Sequence, residues 1–194
     1  TQTLHAHNDI AFTQLTTNGI AGDAGDINLT SDTGSIRGGS VSANGDTHFA
    51  SAGPVHLNRI RGNTVKLSSP GDLTVDFISV VKELDLAGNT INVKGEQIKS
   101  NPSIPLIMNI TGYNGGTAKS ANVFIDPDAI IINQFRVVDA SFITDAPAVT
   151  IVNGYVPGQL MLTTATQQVL MDNRSPAPSA WPSLQLYQPG GVFT

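Results

Sequence analysis

One recurring line of text constrains this chain more than any other feature. Ile27-Asn-Leu29-Thr-Ser31 is followed by Asp-Thr-Gly34-Ser-Ile36, and Thr47-His-Phe49-Ala-Ser51 by Ala-Gly53-Pro-Val55-His-Leu57. Val65-Lys-Leu67-Ser-Ser69 leads to Pro-Gly71-Asp-Leu73-Thr-Val75, and Leu84-Asp-Leu86-Ala-Gly88 to Asn-Thr-Ile91-Asn-Val93. Each line is apolar-polar-apolar, a small turn, then apolar-polar-apolar again. Leu29, Phe49, Leu67 and Leu86 recur at a spacing of roughly 18–20 residues, a period typical of stacked repeats. Alternation puts every second side chain on one face of a strand. Gly, Asn, Asp and Ser between strands supply the turns. One such unit cannot bury its own apolar stripe, whereas parallel stacking about 4.8 Å apart can.

These lines predict an all-β chain, a right-handed parallel β-helix (β-solenoid) with coils of roughly 18–20 residues. Leu29, Phe49, Leu67 and Leu86 are expected to point inward and stack. Residues 1–95 read as regular coils and 96–194 as less regular coils with insertions, together one continuous solenoid. Asn92 to Pro105 reads as an insertion or corner, and Thr111 to Gly116 as a turn. Phe77 to Leu84, FISVVKEL, is the one stretch with a helical rhythm, although strand and corner fit it better. Residues 173–183, NRSPAPSAWPS, are Pro-rich and cannot supply ladder N–H groups at each Pro, so a loop outside the stack is expected near the C-terminus. Trp181 would pin that loop, and Trp181 with Tyr187 makes a candidate partner-contact surface.

Composition narrows the function classes. Charged residues are only 13% of the chain against about 25% in average domains, and the net charge is −5. A nucleic-acid footprint needs clustered Lys and Arg, so no nucleic-acid partner is expected. No apolar run reaches the roughly 18 residues of a membrane span. With no Cys there is no disulfide framework and no thiol nucleophile. The chain opens TQTLHAHNDI without Met or an apolar leader and stops at GGVFT, so both ends read as cut from a longer polypeptide.

Candidate chemistry is sparse. His5 and His7 form an H-x-H pair that would share one face of a strand and suit a metal, but no third ligand has a supporting spacing. Asp23, Asp26, Asp32 and Asp46 lie in Gly-rich text, yet without the strict nonapeptide of calcium-binding repeats; Asx-turns are the expected role. Asp126, Asp128, Asp139 and Asp145 are the carboxylates that stacking would bring together, with Arg136 the basic residue near them. A β-helical lyase or hydrolase needs converging carboxylates or a metal-bound Asp cluster with a base. Asn8, Asn28, Asn44, Asn63 and Asn89 lie in or beside turns, where stacked Asn is a structural device. No catalytic residue, metal or cofactor is expected, and the chain reads as a non-enzyme.

The lines AGDINLTSDTGSIRGGSVSANGD and LDLAGNTINVKG resemble repeats of bacterial filamentous haemagglutinin-like adhesins. The text NGYVPGQLMLTT and NRSPAPSAWPSLQLYQPGGVFT looks like a segment of the leukotoxin-type members of that group. The resemblance covers the chain from about residue 20 to its end. It implies two-partner secretion through an outer-membrane partner, a place on the bacterial surface or outside the cell, and a shaft segment serving adhesion, biofilm formation or virulence. The family's export domain carries Asn-Pro-Asn-type motifs that are missing here, which favours an interior segment. The partners so implied are neighbouring coils or chains of the same filament and an unknown cell-surface or carbohydrate ligand. Two other readings accompany it: a carbohydrate-active β-helix of lyase or tailspike type, and a self-assembling extracellular fibre subunit.

Overall fold

Every alternating line becomes a strand. The computed structural model describes residues 1–17, 25–99, 103–146 and 149–164, and beyond them the backbone of three short strands. The first strands are β1 (Gln2–Ala6), β2 (Ile10–Thr16), β3 (Ile27–Ser31), β4 (Ile36–Ser42) and β5 (Thr47–Ser51). Next come two long ones, β6 (Val55–Ser68) and β7 (Leu73–Ala87), then β8 (Thr90–Gln97), β9 (Leu106–Thr111), β10 (Ala118–Asp126) and the long β11 (Ile130–Ile143). They are followed by β12 (Val149–Tyr155), β13 (Gln159–Thr163), β14 (Gln168–Asp172), β15 (Tyr187–Gln188) and β16 (Gly191–Val192).

Period-2 alternation translates directly into burial. In β5, Thr47, Phe49 and Ser51 are buried, while His48 and Ala50 are exposed. Parallel pairing then holds the apolar positions in register. Leu29 lies opposite Phe49, Phe49 opposite Leu67, Leu67 opposite Leu86, and Leu86 opposite Ile110. All five are buried, none more than 2% exposed. The expected inward row is therefore present, and Ile110 opposite Phe135 extends it. Within the core, Phe12 of β2 meets Phe49 of this row edge-on, with ring centroids 6.4 Å apart.

The architecture differs from the expected right-handed β-helix. β7 pairs with β8, β8 with β10, β10 with β11, β11 with β9, and β9 again with β7. These five strands close a parallel barrel, and the other strands of the same 14-stranded sheet pack outside it. The reason lies in the long strands. β7 gives Leu73–Val80 to β8 and Glu83–Ala87 to β9; β11 gives Ile130–Phe135 to β9 and Ala140–Phe142 among others to β10. Each long strand belongs to two neighbourhoods, so pairing runs in a ring rather than along one file of separate coils. Register shifts between Gly62 and Thr64, Val75 and Ile78, and Ile132 and Gln134 bend the strands enough to close it. Nor is pairing parallel throughout, since β14 runs antiparallel to β13.

Local expectations fare unevenly. Phe77 to Leu84 is strand, inside β7, with no helix. Residues 111–116 do turn, through a short 3-10 segment at Tyr113–Gly115, with Asn114 and Gly115 at positive φ (54° and 74°). The Pro-rich stretch 173–183 lies outside the described residues.

Candidate functional site

The parallel register that buries alternate residues also aligns the outward ones. On the outer face of the barrel wall, Thr74 lies opposite Asn92, Asn92 opposite Asn122, and Asn122 opposite Ser141. Four polar side chains from β7, β8, β10 and β11 thus form one straight row, with about 4.8 Å between rungs. The buried residues that follow them, Val75, Val93, Val123 and Phe142, anchor each rung in the core. The next outward row brings Lys94, Phe124 and Ile143 together. Phe124 is 40% exposed, a large aromatic surface left facing water. These residues and Asp76 line an open groove of about 610 Å³.

Its chemistry is mixed in a specific way. The Asn122 Nδ2 donates to Asn92 Oδ1 at 2.9 Å. That bond orients both amides and leaves the Asn122 carbonyl as an acceptor and the Asn92 amide as a donor toward the groove. Asp76 and Lys94 carry opposite charges, so the groove is neutral in formal charge. The row can therefore hydrogen-bond a ligand that both donates and accepts, while Phe124 and Ile143 offer an apolar strip beside it.

A second outward row, Asn28–His48–Lys66–Asp85–Asn109, is closed on itself. Lys66 Nζ reaches Asp85 Oδ2 at 3.0 Å and Glu83 at 3.5 Å. Asn109 Nδ2 donates to the other Asp85 oxygen at 2.6 Å. The bond to Asp85 raises the Lys66 pKa above its ordinary value, against a smaller opposing effect of burial. With its charges mutually satisfied, this row serves the sheet.

The sequence candidates separate in space. His5 and Asp32 meet, with Nε2 and Oδ1 2.7 Å apart, and His7 Nδ1 lies 3.9 Å from the other Asp32 oxygen. Among the described residues no group of three or more His, Asp or Glu is placed to hold a metal ion. Asp26 and Asp46 do not make local Asx-turns. The Oδ1 of Asp26 accepts the Asp46 N–H at 3.0 Å, and that of Asp46 accepts the Thr64 N–H at 3.1 Å, each fastening one strand layer to the next. Asp128 accepts from Ser103 at 2.9 Å and pairs with Lys99 at 3.2 Å, which holds its carboxyl below the usual range, Ser103 being the larger cause. The Oδ1 of Asp139 accepts the Gln159 N–H at 2.9 Å. Asp126, opposite Glu96 in register, and Asp145 are both exposed. Arg136 covers the Tyr155 ring, its Cζ 5.4 Å from the centroid. Asp23, Trp181 and the Tyr187 side chain lie outside the described residues.

Sequence reasoning missed Asn92 and Asn122. It sought asparagine in turns, whereas these two sit mid-strand in the parallel texts Ile91-Asn-Val93-Lys94 and Ala121-Asn-Val123-Phe124. That shared apolar-Asn-Val pattern is the signal that could have revealed the row.

No protein-family model, no curated protein and no solved structure matches this chain. The resemblance to filamentous haemagglutinin-like adhesins is therefore corrected: the Gly-, Asn- and Ser-rich lines carry no family signal and record the demands of tight turns between short strands. Without that resemblance and without a β-helix, the shaft, fibre, lyase and tailspike roles have no support, and neither do adhesion, biofilm formation and two-partner secretion.

Proposed function

We propose that this chain is a non-catalytic binding module that holds an extended, uncharged, polyhydroxylated ligand, of the class of a neutral glycan chain, along the Thr74–Asn92–Asn122–Ser141 row. The observation that supports this reading is the in-register amide and hydroxyl row beside exposed Phe124. Its rung spacing is comparable to the length of one pyranose ring, so successive sugars would meet successive rungs. Sugar hydroxyls both donate and accept, matching the Asn92 amide and the Asn122 carbonyl. An aromatic face takes the apolar C–H side of a sugar ring. One acidic and one basic side chain, Asp76 and Lys94, leave the groove without net formal charge, which favours a neutral ligand over an acidic one. Backbone pairing on both sides of β8 and β10 makes the face rigid, which lowers the ordering cost of binding.

The test is calorimetric titration with neutral hexasaccharides of gluco-, xylo- and manno-configuration. At least one should bind, and Phe124→Ala and Asn122→Ala should each weaken it by about tenfold, corresponding to roughly 1.4 kcal/mol. Absence of binding at millimolar ligand, or binding indifferent to both substitutions, would overturn the reading. Phe124 and Asn122 are exposed, so neither variant threatens the fold.

A further inference from the structure

A second groove, farther along β7 and β8 and reaching onto β6 and β4, carries a feature that the glycan reading does not use. Ile60 of β6 is fully buried, so Arg59 and Arg61 on either side of it both project outward. Two residues along a strand span about 6.6 Å, close enough for both guanidinium groups to reach one small ligand. In register, Ser40 lies beside Arg59 and Arg59 beside Phe77, while Ser42 lies beside Arg61 and Arg61 beside Ser79. Arg59 lies over the Phe77 ring, its Cζ 5.0 Å from the centroid. Stacking fixes the plane of that guanidinium while leaving its edge N–H groups to donate outward.

Together Ser40, Ser42, Arg59, Arg61 and Ser79 line a groove of about 470 Å³. One carboxylate, Glu96, closes its far side, beyond Ser79 from Arg61, with its Oε1 accepting from Ser79 Oγ at 3.3 Å. Among the described residues, neither Arg59 nor Arg61 is within ion-pair distance of a carboxylate. In a chain of net charge −5, two adjacent cations without such a partner, beside partly buried hydroxyl donors, form a local positive site. Planar forks of this kind match the oxygens of sulfate, phosphate or carboxylate groups, and serine hydroxyls complete the donor set.

We propose that Arg59 and Arg61, with the Ser40 and Ser42 hydroxyls, form an oxyanion-binding site. The shared ligand chemistry is a group bearing two or more oxygens and a negative charge, either as a free anion or carried on a larger molecule. The site is independent of the glycan groove and stands or falls without it.

The experiment is an NMR titration of the arginine Nε–Hε resonances with sodium sulfate, ionic strength held constant with sodium chloride. Arg59 and Arg61 should shift saturably, while Arg37 and Arg136 should not. Arg61→Gln should weaken binding at least about tenfold, because it removes a charge and a charge-assisted pair of donors from the site. Arg136→Gln should leave it unchanged. A second arm uses a sulfated hexasaccharide. If it binds more than about tenfold tighter than sulfate at the same arginines, the site serves a group on a larger molecule; equal affinity assigns it to the free anion. Linear, unsaturated shifts, or equal shifts at Arg37, Arg59, Arg61 and Arg136, would reduce the effect to ionic screening and overturn the proposal. An unchanged amide spectrum verifies the fold of each variant.

Discussion

The hydroxyl of Ser69 donates to the carbonyl of Gly53 at 2.6 Å, and the same oxygen accepts the Gly71 N–H at 2.8 Å. Ser51 repeats the arrangement one layer earlier, donating to Gly34 at 2.7 Å and accepting from the Gly53 N–H at 3.3 Å. Ser31 does so again with Asn8 at 2.7 Å and the Gly34 N–H at 3.1 Å. A buried serine thus closes each turn and ties it to the layer beneath. At Ser69 it satisfies backbone groups that the turn withdraws from the strand ladder, while at Ser51 it reinforces the bond of 2.7 Å from the Gly53 N–H to the Gly34 carbonyl.

Ser69 is fully buried. Ser69→Ala should orphan the Gly53 carbonyl and the Gly71 N–H and destabilise the protein by about 1–3 kcal/mol. Urea unfolding of the variant measures this. A stability unchanged from that of the parent chain would mean that water replaces the hydroxyl and the turn is held by other contacts.

Phe49 joins the Leu29–Leu67–Leu86 row to the edge-on contact with Phe12. Phe49→Ala should cost about 3–5 kcal/mol through lost burial and the cavity left behind. Ala50→Ser, on the exposed side of the same strand, should change stability by less than about 0.5 kcal/mol. Comparable losses at the two positions would contradict the alternation.

Gly95 lies in β8 where a Cβ would collide with the Ile78 carbonyl oxygen. Backbone on one side and a packed strand on the other leave no direction for relief. Gly95→Ala should destabilise by about 1–3 kcal/mol, the usual cost of overpacking. Thermal unfolding of the variant is the check, and an unchanged midpoint would show that β7 and β8 separate easily.

Asp9 accepts the Ser35 N–H at 2.6 Å and the Ser35 hydroxyl at 2.9 Å. The backbone bond, then the hydroxyl, then the Arg37 charge hold its carboxyl below the ordinary range. Its contribution to stability is therefore complete above about pH 3.9 and fades as pH falls through the lower folded value. Lys66 behaves oppositely. Its raised pKa means that its contribution is complete below about pH 10.4 and fades as pH rises through the folded value. Both groups are substantially exposed, so the effects are small. Carbon-detected titration of the Asp9 carboxyl should give a midpoint below that of a model peptide, and Ser35→Ala should move it upward. A midpoint unmoved by that substitution would remove the Ser35 hydroxyl as a cause and leave the backbone N–H, which alanine keeps, to account for the lowering.

The strands, and the residues of the inward row, were legible in the sequence because alternation is local. A period of two places Leu29, Phe49, Leu67 and Leu86 on one face whatever the distant chain does, and their regular recurrence makes them neighbours. Closure of the five-stranded barrel was not legible. It depends on Leu73–Ala87 and Ile130–Ile143 running on as single strands and each serving two neighbours, a choice made by register shifts and packing between segments far apart in sequence. The candidate sites share that origin. Asn92 meets Asn122, and Ser42 meets Arg61, only because parallel pairing carries one register from strand to strand across long intervening stretches of chain. Local alternation determined which side chains face outward; long-range hydrogen bonding decided which of them stand together.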